Sequence, residues 1–252
     1  MSDPIALYRE VFALAPDDPA PTPRLLAALS RNGGIALAAH MAGELVGFSY
    51  GFPGLDPAGE GRCGAVYHYM ELLVVRADRR NSGIGRALMY HLRESVLRRG
   101  LHSIRWAFDP MRFDNAYFYL DVLGVRGGDF VPNLYGIEDS GRDRGHRTDR
   151  IIAHWELTRP AVAWASPPAG LAVGVPEIDG QGDVETVLLA VGRSAEHRGY
   201  SGRFEPERRI CIKLGELIAD GFQAVSCRSA SDGLMVYRLV ADLPGTEPDC
   251  HR

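Results

Sequence analysis

The chain has 252 residues, of which 46% are hydrophobic and 24% charged, with a net charge of −4. That is a globular balance, which excludes disorder as the main state and gives no bulk electrostatic case for nucleic acid. No run of about 18 apolar residues predicts a membrane span. The opening Met1-Ser-Asp-Pro has no basic stretch followed by an apolar one, so no secretory signal is read and a cytoplasmic protein is expected. The four cysteines, Cys63, Cys211, Cys227 and Cys250, form no CxxC pair, so reduced thiols are expected, with neither a metal site nor a disulfide framework. The basic residues are 27 arginines and one lysine, Lys213. Anion contacts must therefore come from guanidinium forks or backbone N–H groups.

In chain order, apolar residues at helical spacing predict a helix over 4–14, and Thr22-Pro23 reads as the cap and first turn of a second helix through Leu29. Residues 35–40 and 44–50 flank Ala42-Gly43 as a β-hairpin, followed by a Gly/Pro-rich loop over 51–64. Tyr67 to Arg76 reads as a strand and 85–99 as an amphipathic helix stopped by Gly100. A strand at 103–108, a short helix at 114–123 ended by Gly124, and strands at 125–135 and 149–157 around a charged, mobile loop at 138–148 follow. Pro160, Pro167 and Pro168 mark a linker over 159–170. Beyond it, a strand at 171–175, a helix near 205–220 and strands at 222–228 and 234–240 form a small β-α-β-β extension. The expected organisation is a domain over 1–158, the linker, and an extension over 171–252 that packs on the first domain.

The chemistry is concentrated in Leu73-Val-Val-Arg-Ala-Asp-Arg-Arg-Asn-Ser-Gly-Ile-Gly-Arg86. A hydrophobic strand runs into a turn, then Arg80-x-x-Gly83-x-Gly85, then a helix. Glycines let backbone approach a ligand closely, and the unpaired N–H groups of a helix start, with its macrodipole, make an anion seat. A phosphate or pyrophosphate is the natural guest. A P-loop is excluded, because Lys213 is the only lysine and lies far away. A dinucleotide-binding Gly-x-Gly-x-x-Gly is also absent, since Leu88 holds the third position.

With the hairpin before it and the strand, helix and hairpin after it, this stretch resembles the GNAT superfamily of Gcn5-related N-acyltransferases. The phosphate motif of that superfamily, Arg/Gln-x-x-Gly-x-Gly/Ala, is met by Arg80, Gly83 and Gly85. The resemblance implies an α+β fold with a mixed sheet and an acetyl-CoA or other acyl-CoA cosubstrate. It implies that Leu73, Val74 and Val75 offer backbone groups to the pantetheine arm, and that Arg80, Asn81, Ser82, Gly83, Ile84, Gly85 and Arg86 hold the pyrophosphate. Segments such as Tyr67-His-Tyr-Met-Glu-Leu-Leu-Val74 and Pro132-Asn-Leu-Tyr-Gly136 look like a bacterial branch with a C-terminal extension, which includes amino-acid N-acyltransferases, some using succinyl donors. Asn115 matches that branch and is carried over as a cofactor contact, or it pairs with Asp109-Pro110 to shape the loop.

Transfer to an amine needs a base, an oxyanion donor and a fate for the thiolate. Glu71 shares a strand face with Tyr67 and Tyr69 and is the candidate base, against a structural carboxylate paired to an arginine. His68 reads more simply as packed. The resemblance implies an oxyanion donor from a bulge near Val74. Many family members carry a tyrosine acid four residues before the glycine that closes the post-strand helix, but Leu120 holds that place. Tyr119 is the candidate acid, although one step rotates a helical side chain by about 100°. Asp109, Arg112, Asn133, Tyr135 and Arg150 are candidate acceptor contacts, and Trp106 and Trp155 read as core. The expected function is direct acyl transfer to a small primary amine, with no nucleic acid, membrane or metal involved. The extension is expected to continue the sheet, cover the acceptor cleft or form a homodimer surface. A catalytically silent CoA-binding module and a GNAT-type acyl-CoA decarboxylase are the alternatives.

Overall fold

Local signals start and stop most elements where the sequence predicts. In the computed structural model, Asp3 accepts from the Ile5 N–H and caps α1 (Pro4–Phe12), and Thr22 accepts from the Leu25 N–H at 3.1 Å and caps α2 (Pro23–Arg31). Each such cap is worth about 1 kcal/mol. The structure describes residues 3–56, 64–137, 141, 145–158, 176–179, 186–192, 205–231 and 234–241. These fall into two compact units: Met1–Trp106 with Glu138–Arg144 and Glu156–Thr158, and Ala107–Ile137 with Gly145–Trp155 and Arg159–Arg252.

The first unit carries β1 (Ile35–Met41), β2 (Glu44–Leu55), β3 (Val66–Val75) and α3 (Ile84–Leu97), and β4 (Ser103–Phe108) starts in it. Ala42 and Gly43 both have positive φ, 50° and 82°, which matches the twist of a tight hairpin between β1 and β2. The ladder β1-β2-β3 is antiparallel and β3 to β4 is parallel, so the sheet is mixed. One face packs Phe48, Tyr50, Leu72 and Val74 under α1 and α2, and the other packs Val46, Leu73 and Val75 under Ile84 and Leu88 of α3.

The predicted loop over 51–64 is corrected in its first part, because Gly51–Leu55 continues β2 against β3. The glycine there serves a close approach: a β-carbon on Gly51 would lie 2.2 Å from the Tyr69 carbonyl and 2.5 Å from His68 Nε2. Residues 57–63 of that loop, most of the charged loop at 138–148, the proline-rich stretch 159–170 and the strand expected at 171–175 lie outside the described residues.

In the second unit lie α4 (Phe113–Tyr117), a π-turn (Phe118–Val122), β5 (Arg126–Val131), most of β6 (Arg150–Glu156), β7 (Pro176–Asp179), β8 (Thr186–Gly192), α5 (Glu205–Ala219), β9 (Phe222–Ser231) and β10 (Leu234–Ala241). Its strand order is β6-β5-β9-β10-β8-β7, with Gly127 of β5 paired to Ala224 of β9. That pairing explains why the compact units divide inside β4 rather than at the prolines: β5 and β6 share a ladder with the C-terminal strands. The extension has two described strands before its helix, and the β-α-β-β reading, whose strand at 171–175 lies outside the described residues, contained neither β7 nor β8. Its Thr186-Val-Leu-Leu-Ala-Val run is continuously apolar, without the alternation that marks a strand.

Candidate functional site

Arg76 sets the turn that follows β3. Its N–H donates to the Val46 carbonyl on β2, and its guanidinium pairs with Glu44 at 3.0 Å and Asp78 at 2.7 Å. Asp78 is held below its ordinary carboxyl value by that hydrogen bond. A short 3-10 turn over Ala77–Arg79 leads to Asn81 and Gly83, both left-handed at φ 59° and 85°. Gly83 is the N-cap of α3 and brings no side chain to the helix start. Among the described residues no hydrogen bond is made by the amides of Ile84, Gly85 or Arg86, which leaves the N–H groups of the first turn pointing out of the helix. Arg80, Asn81, Ser82 and Arg86 are exposed around them, with the Arg86 guanidinium 5.6 Å from the Tyr90 ring centre. The predicted phosphate contacts are thus brought together as one loop.

Among the described residues, the strand that feeds this loop is paired on one side only beyond Tyr69. The β3–β4 ladder holds two pairs, His68 with Ile104 and Tyr69 with Arg105, and β3 continues to Val75. Since the Arg76 N–H faces β2, alternation turns the backbone groups of Leu73 and Val75 to the opposite edge. The side chains there pack, while the peptide groups on that edge meet no strand among the described residues.

The bulge expected near Val74 lies elsewhere. Leu72 pairs with Tyr50 and Met70 with Gly51, so the extra residue is Glu71 itself. A bulge re-aims a side chain, and here it re-aims the candidate base. Water reaches the Glu71 carboxylate from one side, while protein crowds it from the other and raises its pKa above the ordinary value. Tyr50, which the sequence does not single out, is buried beside it; burial first, then Glu71 and Tyr8, hold its phenol well above the usual range. No local pattern marks Tyr50, because only the β2–β3 register brings it to the bulge. His68 is buried, as expected of a packed histidine, and burial followed by Arg99 lowers its pKa to about 4.

The second unit holds the remaining predicted residues. Asn115 is exposed on α4. Tyr119 is buried against Phe108 and Phe118, with ring centres 5.5 Å and 5.4 Å apart, and burial raises its phenol pKa. Its helix closes differently from the predicted one. Leu123 donates to the Phe118 carbonyl, an i→i+5 bond at 3.1 Å. A π-turn carries one residue more than an α-turn. Tyr119 lies inside that turn, five residues before Gly124, whose φ of 71° puts it past the helix end.

Asp109 accepts from the Met111 N–H at 2.8 Å and faces Arg112 at 3.6 Å, so it shapes its own loop. Asn133, at φ 53°, donates its N–H to Asp149 and accepts from the Thr148 N–H. Arg150 is buried with its guanidinium 5.6 Å from the Tyr135 ring centre. Trp106 and Trp155 are core. Cys211 and Cys227 are buried free thiols. Among the described residues no group of three or more metal-ligating side chains occurs, and no helix is long and apolar enough to cross a membrane.

Residues 5–124 match the family model described as Acetyltransferase (GNAT) family. No curated protein matches the chain. Among solved structures, the chain is similar to a GNAT family acetyltransferase from Elizabethkingia anophelis with acetyl-CoA bound, at 16% identity over 62% of this chain and 92% of that one, with a TM-score of 0.43. It is also similar to the ribosomal-protein-S18-alanine N-acetyltransferase from Escherichia coli, at 18% identity over 67% and 92%, TM-score 0.45. A third, an aminoglycoside 6'-acetyltransferase type Ii, is 22% identical over 62% and 88%, TM-score 0.43. The family match begins in α1, takes in the phosphate loop and ends at Gly124, and the α+β, mixed-sheet architecture is that of the GNAT acyl-CoA N-acyltransferase fold.

Proposed function

We propose that the protein transfers an acyl group, acetyl or succinyl, from coenzyme A to the nitrogen of a small primary amine, with amino acids the first acceptor class to test. The observation that carries this reading is the pairing of an uncapped α3 start, its amides unused and Gly83 left-handed, with the edge of β3 immediately before it that meets no strand among the described residues. The residues fit the cosubstrate: N–H groups of Ile84, Gly85 and Arg86 face the diphosphate, and the backbone of Leu73 and Val75 receives the pantetheine arm.

Bound acyl-CoA supplies the thioester. The amine nitrogen attacks its carbonyl, forming the C–N bond as the C–S bond breaks. Glu71, at the bulge, takes the N–H proton directly or through water, a role worth about 10²–10⁴-fold. Tyr119 returns a proton to the leaving thiolate. Asn115 is an accessory contact to the cosubstrate. The two buried thiols support a cytoplasmic setting.

The test begins with mass-spectrometric identification of an acyl-CoA that co-purifies with the full chain, then a panel of amino acids and amines assayed for thiol release and amide product. Amide formation supports transfer. Bound acyl-CoA with no amide from any amine points to a silent binding module, and carbon dioxide release without an acceptor points to decarboxylation.

A further inference from the structure

A π-turn is less stable than the α-turn it replaces, so one that persists needs an outside hold. Asp121, inside the turn, has that hold. Its side chain is 3% exposed. It accepts from Ser226 Oγ at 2.6 Å, from the Cys227 backbone N–H at 2.8 Å and from Arg228 Nε at 2.5 Å. All three donors are consecutive on β9. A buried carboxylate met by a hydroxyl, an amide and a guanidinium is fully committed, and its direction is set by the strand rather than by its own helix. The other end of the segment is tied as well: Tyr237 of β10 donates its hydroxyl to the Pro110 carbonyl at 2.6 Å, just before α4. Residues 110–123 are thus pinned at both ends by the C-terminal strands.

Tyr119 lies between those pins. Relaxation of the π-turn to an α-turn would remove one residue from the turn and rotate Tyr119 by about 100° relative to Gly124. We propose that Asp121, gripped by Ser226, Cys227 and Arg228, is a positioning residue that keeps the π-turn in register and so fixes the orientation of Tyr119, the proposed acid. The C-terminal extension thereby acts on the transfer step through one carboxylate. This rests on the acyl-transfer reading above.

The experiment is steady-state kinetics of the full chain with acetyl-CoA and its best amine, for Asp121→Asn, Ser226→Ala and Tyr119→Phe and for each of the first two combined with Tyr119→Phe. Asp121→Asn lowers kcat about tenfold or more and leaves the KM for acetyl-CoA within about twofold. In the Tyr119→Phe background the same change alters kcat by less than about twofold, because the group being aimed is gone. Ser226→Ala keeps the carboxylate and two of its donors and gives a smaller loss of the same kind, so the cycle stands even if Asp121→Asn does not fold. Additive losses, or a raised KM at unchanged kcat, overturn this inference alone. A wild type that makes no amide from any amine overturns the transfer reading, and this inference with it.

Discussion

Gly47 on β2 lies so close to Ile84, the first residue of α3, that a β-carbon at position 47 would come within 2.9 Å of Ile84 Cγ2 and 3.0 Å of Leu88 Cδ1. The start of α3, which carries the amides proposed to bind the diphosphate, is seated on bare backbone. Gly47→Val is expected to cost about 1–3 kcal/mol through overpacking and to weaken acyl-CoA binding by lifting the helix start. Thermal melts and calorimetry on the same preparation check both. Lost stability with unchanged affinity would mean that the loop keeps its geometry independently of the strand.

Gly83 separates binding from folding. A β-carbon there would meet nothing within 4 Å, so the strain of Gly83→Ala comes from φ 85° alone and amounts to about 1–2 kcal/mol. Gly83→Asp adds a negative charge beside the proposed diphosphate. Its Kd for acyl-CoA should rise well beyond that of Gly83→Ala, by about tenfold or more. Equal affinities for the two variants would place the diphosphate elsewhere.

Glu71→Gln removes the proposed base without changing the size of the side chain. The expected loss in kcat/KM is about 10²-fold near neutral pH. Without a base, the variant depends on amine that has already lost its proton, a fraction that shrinks as pH falls. The ratio of wild type to variant should therefore widen from pH 9 to pH 6. The raised pKa of Glu71 also moves the acid limb of the wild-type profile above that of an ordinary carboxylate. A constant ratio across the range would shift the base to another group.

His68 makes stability depend on pH. Its pKa falls from 6.5 to about 4 in the fold, so below pH 6.5 the unfolded chain binds a proton that the folded one refuses. Its contribution is complete above pH 6.5 and is lost as pH falls toward 4, by about 3 kcal/mol in all. Denaturant melts at pH 7 and pH 4.5 measure the slope, and His68→Asn should flatten it. An unchanged slope in the variant would assign the acid sensitivity to other groups.

Most local decisions are legible in the sequence by itself. The caps at Asp3 and Thr22, the Ala42-Gly43 turn, the strand into Val75 and the Arg80-x-x-Gly83-x-Gly85 loop each depend on residues within a few positions of one another. Patterns of that reach survive in a linear chain of letters. What only the tertiary structure decided depends on partners far along the chain. The bulge falls on Glu71 rather than near Val74 because β2 sets the register of β3. Gly51–Leu55 is strand because a partner lies alongside it. The π-turn around Tyr119 is tied through Asp121 to donors more than a hundred residues away, at Ser226, Cys227 and Arg228, and no spacing within residues 114–124 encodes them. Periodicity assigns a face to a helix or strand, whereas an inserted residue resets the face, and whether it is accommodated is settled by the free energy of contacts that exist only in the folded chain.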